Sequence, residues 1–142
     1  MKTFLTAILA IVSVVYGYGQ KTKTNTLIKN KNFVLLQAIK FDEFNIVIDT
    51  VYLLGGDDAR YSQVAHPILL KSGTIIDIYN FATKLQAAFF EEKDTIMDYD
   101  GQRVYVGKGT IMVYGVGKNT DAYIILNKEH VNQIVDETGK RF

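Results

Sequence analysis

The chain contains no cysteine, no tryptophan and a single proline, Pro67, among its 142 residues. Without cysteine there is no disulfide, no thiolate metal site, no cysteine nucleophile and no lipid attachment through an N-terminal cysteine. Two histidines, His66 and His130, stand 64 positions apart, so neither a local histidine pair nor a three-histidine metal site can be built. Charge of one sign is equally scarce. Lys and Arg number 16 against 15 Asp and Glu, and the largest basic face falls well short of what a nucleic-acid surface requires. Asn-X-Ser/Thr sequons are absent as well.

One long apolar run is present, and it lies at the N-terminus. Met1-Lys2 supplies a short positive start, Phe4 to Val15 is almost unbroken apolar sequence, and Gly17 and Gly19 provide small residues before polar Gln20-Lys21-Thr22-Lys23. A dozen apolar residues suit the core of a secretory leader and fall short of the roughly 20 that span a bilayer as a helix. The expectation is a cleaved signal peptide over 1–19, with Gln20 as the mature N-terminus. Removing Lys2 leaves 15 basic against 15 acidic residues, a neutral mature chain without a transmembrane span. A cysteine-free exported domain fits a bacterial periplasm or the extracellular medium, with stability drawn from its core instead of from disulfides.

Residues 20–31 read as a flexible polar lead-in, and 32–142 as one globular domain. Phe33–Ile39 and Phe44–Leu54 are apolar and partly β-branched, and predict a hairpin turning at Lys40-Phe41-Asp42-Glu43. Gly55–Ser62 reads as a loop. Ile68–Leu70 and Thr74–Ile78 allow two strands. Against that, Thr74 with Asp77 three residues on forms a capping box, and Ile75, Ile78, Ala82, Leu85 and Phe89 recur at helical spacing, which favours a helix from Ile75 to Glu92. Thr95–Tyr99 and Arg103–Val106 flank Asp100-Gly101, a tight-turn dipeptide. Thr110–Tyr114 and Ala122–Leu126 complete a four-stranded meander. A short helix closes the chain, capped by Asn127, with Val131, Ile134 and Val135 on one face and Gly139 at its end. The fold class is α+β: a mainly antiparallel sheet, built from an N-terminal hairpin and a four-stranded meander, with one middle and one C-terminal helix. Thr-Ile-Met-X-Tyr occurs at 95–99 and 110–114, which reads as similar strand demands and not as a repeat.

Most chemical motifs fail on inspection. Gly115-Val116-Gly117-Lys118-Asn119 lacks the first glycine of a phosphate loop and the Ser or Thr after Lys, and a strand follows instead of a helix. Asp98-Tyr99-Asp100-Gly101 sets Ile96 and Gly107 at the first and twelfth positions of a calcium loop, where carboxylates are needed. Gly107-Lys108-Gly109 lacks the third glycine of a dinucleotide fingerprint. Ser62 and Ser72, the only serines past the leader, lie outside any Gly-X-Ser-X-Gly elbow. His66 reads as a loop residue, and Glu91-Glu92 with Asp94 as a solvated acidic run. No cofactor and no metal are expected.

What remains is aromatic. Nine tyrosines accompany the missing tryptophan, and Tyr99, Tyr105, Tyr114 and Tyr123 all fall on the meander. Sharing one face, they would offer contact area at low entropic cost; otherwise they are ordinary cross-strand stabilisers. Asp57, Asp58 and Arg60, in the Gly55–Tyr61 segment, form a second candidate recognition site. The expected function is binding of a protein partner or small ligand in the envelope or outside the cell. The alternatives are a small hydrolase using carboxylates and His66, or an envelope component that self-associates along an open strand edge.

Overall fold

The computed structural model describes residues 21–61, 66–116 and 121–142, so the leader expected over 1–19 lies outside the described residues. Among the described residues, eight strands and two helices follow in the order β1 (Thr22–Lys29), β2 (Val34–Phe41), β3 (Val47–Asp57), β4 (Pro67–Gly73), α1 (Ile75–Ala88), β5 (Ile96–Tyr99), β6 (Gln102–Val106), β7 (Thr110–Tyr114), β8 (Tyr123–Asn127) and α2 (Lys128–Gly139). They form two antiparallel four-stranded meanders, β1–β4 and β5–β8, each leading directly into a helix. The fold is therefore the mainly antiparallel α+β class that the sequence predicts.

The N-terminal sheet has four strands, not a hairpin alone. The 20–31 segment, expected to be a flexible lead-in, forms β1 over Thr22–Lys29 and pairs with β2. Three β-branched threonines hold it extended. The Asn25 side-chain amide donates to Gln37 at 2.9 Å, and Gln37 in turn donates to the Tyr52 hydroxyl at 3.0 Å, a polar row across three strands. Nor is Gly55–Ser62 a loop from its start, because β3 runs on to Asp57. A Cβ on Gly56 would stand 2.6 Å from the Asn32 carbonyl oxygen and 2.9 Å from Ile124 Cδ1, so glycine here permits the close approach of the two sheets. The β2–β3 turn falls at Asp42–Ile46, later than expected, with Asn45 at φ 61°.

Both helices start on capping boxes. Thr74 accepts from the Asp77 N–H, and the Asp77 carboxylate takes the Thr74 N–H at 2.8 Å, so Thr74 alone separates the end of β4 from the start of α1. These bonds hold the Asp77 carboxyl below its ordinary range. The helix stops at Ala88, with Phe89 as its cap, a turn short of Glu92. Asn127 caps α2, where His130 serves as the reciprocal partner: its N–H donates to Asn127 at 2.8 Å and its Nδ1 accepts the Asn127 N–H at 3.2 Å. The ring packs edge-on against Phe33 at 5.6 Å, which gives His130 a structural place that its spacing did not suggest. Gly139 is the last helical residue, and Lys140 the cap.

One core joins all these elements. Phe33, Leu35, Leu54 and Leu70 from the first sheet, Ile78, Phe81 and Leu85 from α1, Val104, Ile111, Val113, Ile124 and Leu126 from the second sheet, and Val131 and Ile134 from α2 form one buried cluster. A second cluster (Val34, Leu36, Ala38 and Leu53, with Val51 and Leu69) occupies the opposite face of β2–β4, so β2 is apolar on both sides. The sheets are also tied by polar bonds. Buried Gln102 donates to the Leu70 carbonyl at 2.8 Å and the Tyr114 carbonyl at 2.7 Å, and the Val116 N–H reaches the Leu69 carbonyl at 3.0 Å. No helix among the described residues is long and apolar enough to cross a membrane.

Candidate functional site

Strand alternation sorts the second sheet into two faces. Gln102, Val104, Val106, Ile111, Val113, Ile124 and Leu126 turn inward and are buried. The residues between them, Arg103, Tyr105, Met112, Tyr114, Tyr123 and Ile125, must turn outward. Cross-strand register assembles these into two rows. Ile96 pairs with Tyr105, Tyr105 with Met112, and Met112 with Ile125. In the other row Asp98 pairs with Arg103, and Tyr114 with Tyr123.

The second row is continuous through ring contacts. The Arg103 guanidinium lies over the Tyr114 ring, 4.2 Å from its centroid, and the Tyr114 and Tyr123 rings are 5.4 Å apart. Tyr105 donates its hydroxyl to the Asp94 carboxylate, and this bond raises the phenol above its usual pKa. Ile96 and Ile125 are exposed at either end of their row. Three of the four candidate tyrosines therefore share one outward face. Tyr99 does not: it turns inward against the core, its hydroxyl donates to the Lys84 carbonyl at 3.1 Å, and burial raises its pKa with help from the Glu91 charge.

Beside this face lies a cleft of about 410 Å³, lined by Lys71, Asp98, Tyr99, Asp100, Gly101, Gln102, Arg103, Tyr114, Gly115 and Val116. Its carboxylates already have local tasks. Asp98 accepts the Gly101 N–H at 2.7 Å within the turn, and Asp100 faces Lys84 at 3.5 Å. The turn itself places Asp100 at φ 54° and Gly101 at φ 85°, the left-handed pair that a two-residue hairpin needs.

Asp57, Asp58 and Arg60 come together at the end of β3 but divide in role. Asp58 is buried, and Arg60 grips it through Nε at 3.0 Å and Nη2 at 2.7 Å, with a further bond from the Arg60 N–H at 3.1 Å. Burial alone would raise the Asp58 carboxyl. The hydrogen bonds from Arg60 and from the Tyr123 N–H outweigh it and hold the group below its ordinary value. This clamp fixes the chain where the Ala59 N–H meets the Tyr123 carbonyl at 2.8 Å, joining the two sheets. Asp57 is raised by burial against a backbone bond from His66, and its Oδ1 is enclosed without a hydrogen-bond partner among the described residues. His66 stacks on Tyr61 at 4.0 Å, and Arg60 lies 5.5 Å from the Tyr61 centroid. Ser62 lies outside the described residues, while Ser72 stands on β4 opposite Leu53. Glu91 and Glu92 are exposed beyond the end of α1. Among the described residues no three His, Asp or Glu side chains are grouped to hold a metal ion.

Sequence reasoning missed Arg103 and Met112 as members of the tyrosine face. The period-2 alternation through Arg103-Val104-Tyr105-Val106 was the available signal. The chain matches no protein-family model, and comparison with curated proteins and with solved structures gives no match either.

Proposed function

We propose that this chain is an exported domain that works by binding a protein partner on the outward face of β5–β8. One observation carries the reading: Tyr105, Tyr114 and Tyr123 share that face with Arg103 stacked among them. Tyrosine and arginine are the residue types that anchor protein interfaces, since each offers large contact area with a polar tip. The flanking Ile96, Met112 and Ile125 supply apolar area around them. Three rings held by cross-strand neighbours also lose little freedom on binding. The cleft beside the face supports this more than hydrolysis, because Asp98 is engaged by the Gly101 N–H and Asp100 by Lys84. Edge-to-edge assembly has less support as well. The outer strand β1 exposes Lys23 and Lys29, and β5 is four residues long, both features that discourage strand addition.

The test uses tagged protein beginning at Gln20, incubated with envelope and culture-fluid fractions of the source cells. A captured protein is then purified and titrated against wild type and against Tyr114→Ala with Tyr123→Ala. Binding lost in the double variant supports the face; undiminished binding rejects it. Cell fractionation with N-terminal sequencing tests export, and a chain retained in the cytoplasm with Met1 intact would reject that part.

A further inference from the structure

β2 is buried on both faces, and the described elements account for only one of them. Phe33 and Leu35 face the core shared by the two sheets and both helices. Val34, Leu36 and Ala38, with Leu53 on β3, point the other way and are 1%, 1%, 0% and 3% exposed. Register sets Leu36 opposite Leu53 and Ala38 opposite Val51, so these side chains make one apolar strip over the two central strands. Neighbours within a sheet shield such a strip from the sides; burial this complete also needs atoms above it. Among the described residues no apolar side chain of another element supplies them. The buried apolar side chains of α1, α2 and the second sheet all belong to the first cluster, and the partly buried groups packed on the strip, Val51 and Leu69, come from the same sheet.

We infer that the outer face of the first sheet is the docking site of this chain's own N-terminal run, Phe4 to Val15. Composition and length select the occupant. Two other stretches lie outside the described residues, 62–65 and 117–120, and these hold one large apolar side chain, Val64, between them. Phe4–Val15 is apolar at every position except Thr6 and Ser13, and carries no charge. The tether also fits. Residues 16–21 join the run to β1 and reach about 20 Å when extended, while β2 and β3 lie one and two strand spacings from β1, about 5 and 10 Å. Thr22 pairs with Lys40, so the tether arrives at the Ala38 end of the strip, and Thr24 and Thr26 flank it opposite Ala38 and Leu36 without a charge. The inference concerns the chain as synthesised and is independent of binding at β5–β8. On the export reading, cleavage after Gly19 takes the cover away, and the mature domain carries a bare apolar strip that its precursor does not.

The test compares the full chain from Met1, made by cell-free translation without signal peptidase, with the chain beginning at Gln20. Because the protein has no cysteine, Ala38→Cys gives a sole thiol on the strip and Ala82→Cys a sole thiol in the main core. In the full chain both should resist a maleimide. In the shorter chain the Ala38→Cys thiol should react about tenfold faster or more, while the Ala82→Cys thiol stays protected. Equal rates for Ala38→Cys in the two chains overturn the inference: fast in both means an open strip, and slow in both assigns the cover to a second copy or another segment. A second measurement needs no truncation. With photoreactive benzoylphenylalanine in place of Thr24 in the full chain, irradiation should join it to a peptide within residues 1–20 of the same molecule. Crosslinks confined to other peptides, or formed between two chains, overturn the inference even where removal of the run unfolds the domain.

Discussion

Asp58→Ala should destabilise the protein by about 2 kcal/mol, a magnitude that follows from where the two partners of its ion pair sit. Removing one member of a fully buried pair costs about 3–5 kcal/mol, because the other is left charged without water. Here the burial is one-sided: the Asp58 side chain is 3% exposed and the Arg60 side chain 36%. Arg60 can rehydrate, so its share of the penalty is discounted, while loss of the carboxylate still frees the bonds to the Arg60 N–H, Nε and Nη2. Asp58→Asn keeps the shape and an acceptor but no charge, and should lose about 1 kcal/mol. Urea unfolding followed by circular dichroism reads both values. The pH dependence gives an independent check. The folded-state pKa of Asp58 is depressed, so its stabilisation is fully present above the unfolded value of about 3.9 and is lost as pH falls through the folded value. The gap between wild type and Asp58→Asn should therefore close in strong acid. A loss below about 0.5 kcal/mol for the alanine variant, or a gap unchanged in strong acid, refutes the clamp.

Gly56→Ala should cost about 1–3 kcal/mol, because its methyl would meet the Asn32 backbone 2.6 Å away, and thermal unfolding measures the loss. Thr74→Ala removes the α1 cap and should cost about 1 kcal/mol by the same assay, with Thr74→Ser nearly neutral. Ultraviolet titration of the phenols should show Tyr99 and Tyr105 ionising above the ordinary tyrosine range, and Asp94→Asn should bring down Tyr105 alone. For Tyr99 the folded pKa is the raised one, so its contribution to stability is intact below about pH 10 and falls away above it. Tyr99→Phe should flatten that alkaline loss in a pH series of urea midpoints.

Legibility in the sequence followed how local each determinant was. Both helix starts were readable, because a helix cap is a local object: Thr74 with Asp77 before the middle helix, Asn127 before the C-terminal one. The Asp100-Gly101 turn was readable for the same reason, its two left-handed residues being adjacent. β1 was not. Thr22–Lys29 buries only Ile28 fully, and what holds it is the Asn25–Gln37–Tyr52 row, whose members lie on three different strands. The continuation of β3 through Gly55 and Gly56 was hidden in the same way. Paired glycines signal a loop locally, and only the close approach of Ile68 to Gly55, and of Asn32 and Ile124 to Gly56, makes them strand residues.

The candidate site was half legible, and the two copies of Thr-Ile-Met-X-Tyr show why. In β5 that pentapeptide turns Ile96 outward, while Met97 and Tyr99 pack on the core. In β7 it does the reverse, burying Ile111 and turning Met112 and Tyr114 out. A strand has two faces and its side chains alternate, so the same four residues serve either phase. The one differing position marks the phase: Asp98 faces water with Ile96 in β5, whereas Val113 is buried with Ile111 in β7. β7 is a central strand whose inner positions must fit between β6 and β8, where the compact Ile111 and Val113 pack. β5 is an edge strand beside α1, and there the long Tyr99 side chain spans to the Lys84 carbonyl. Composition could therefore place four tyrosines on the meander. The phase of each strand, marked by Asp98 in one and Val113 in the other, separates the one that holds the helix from the three that face outward.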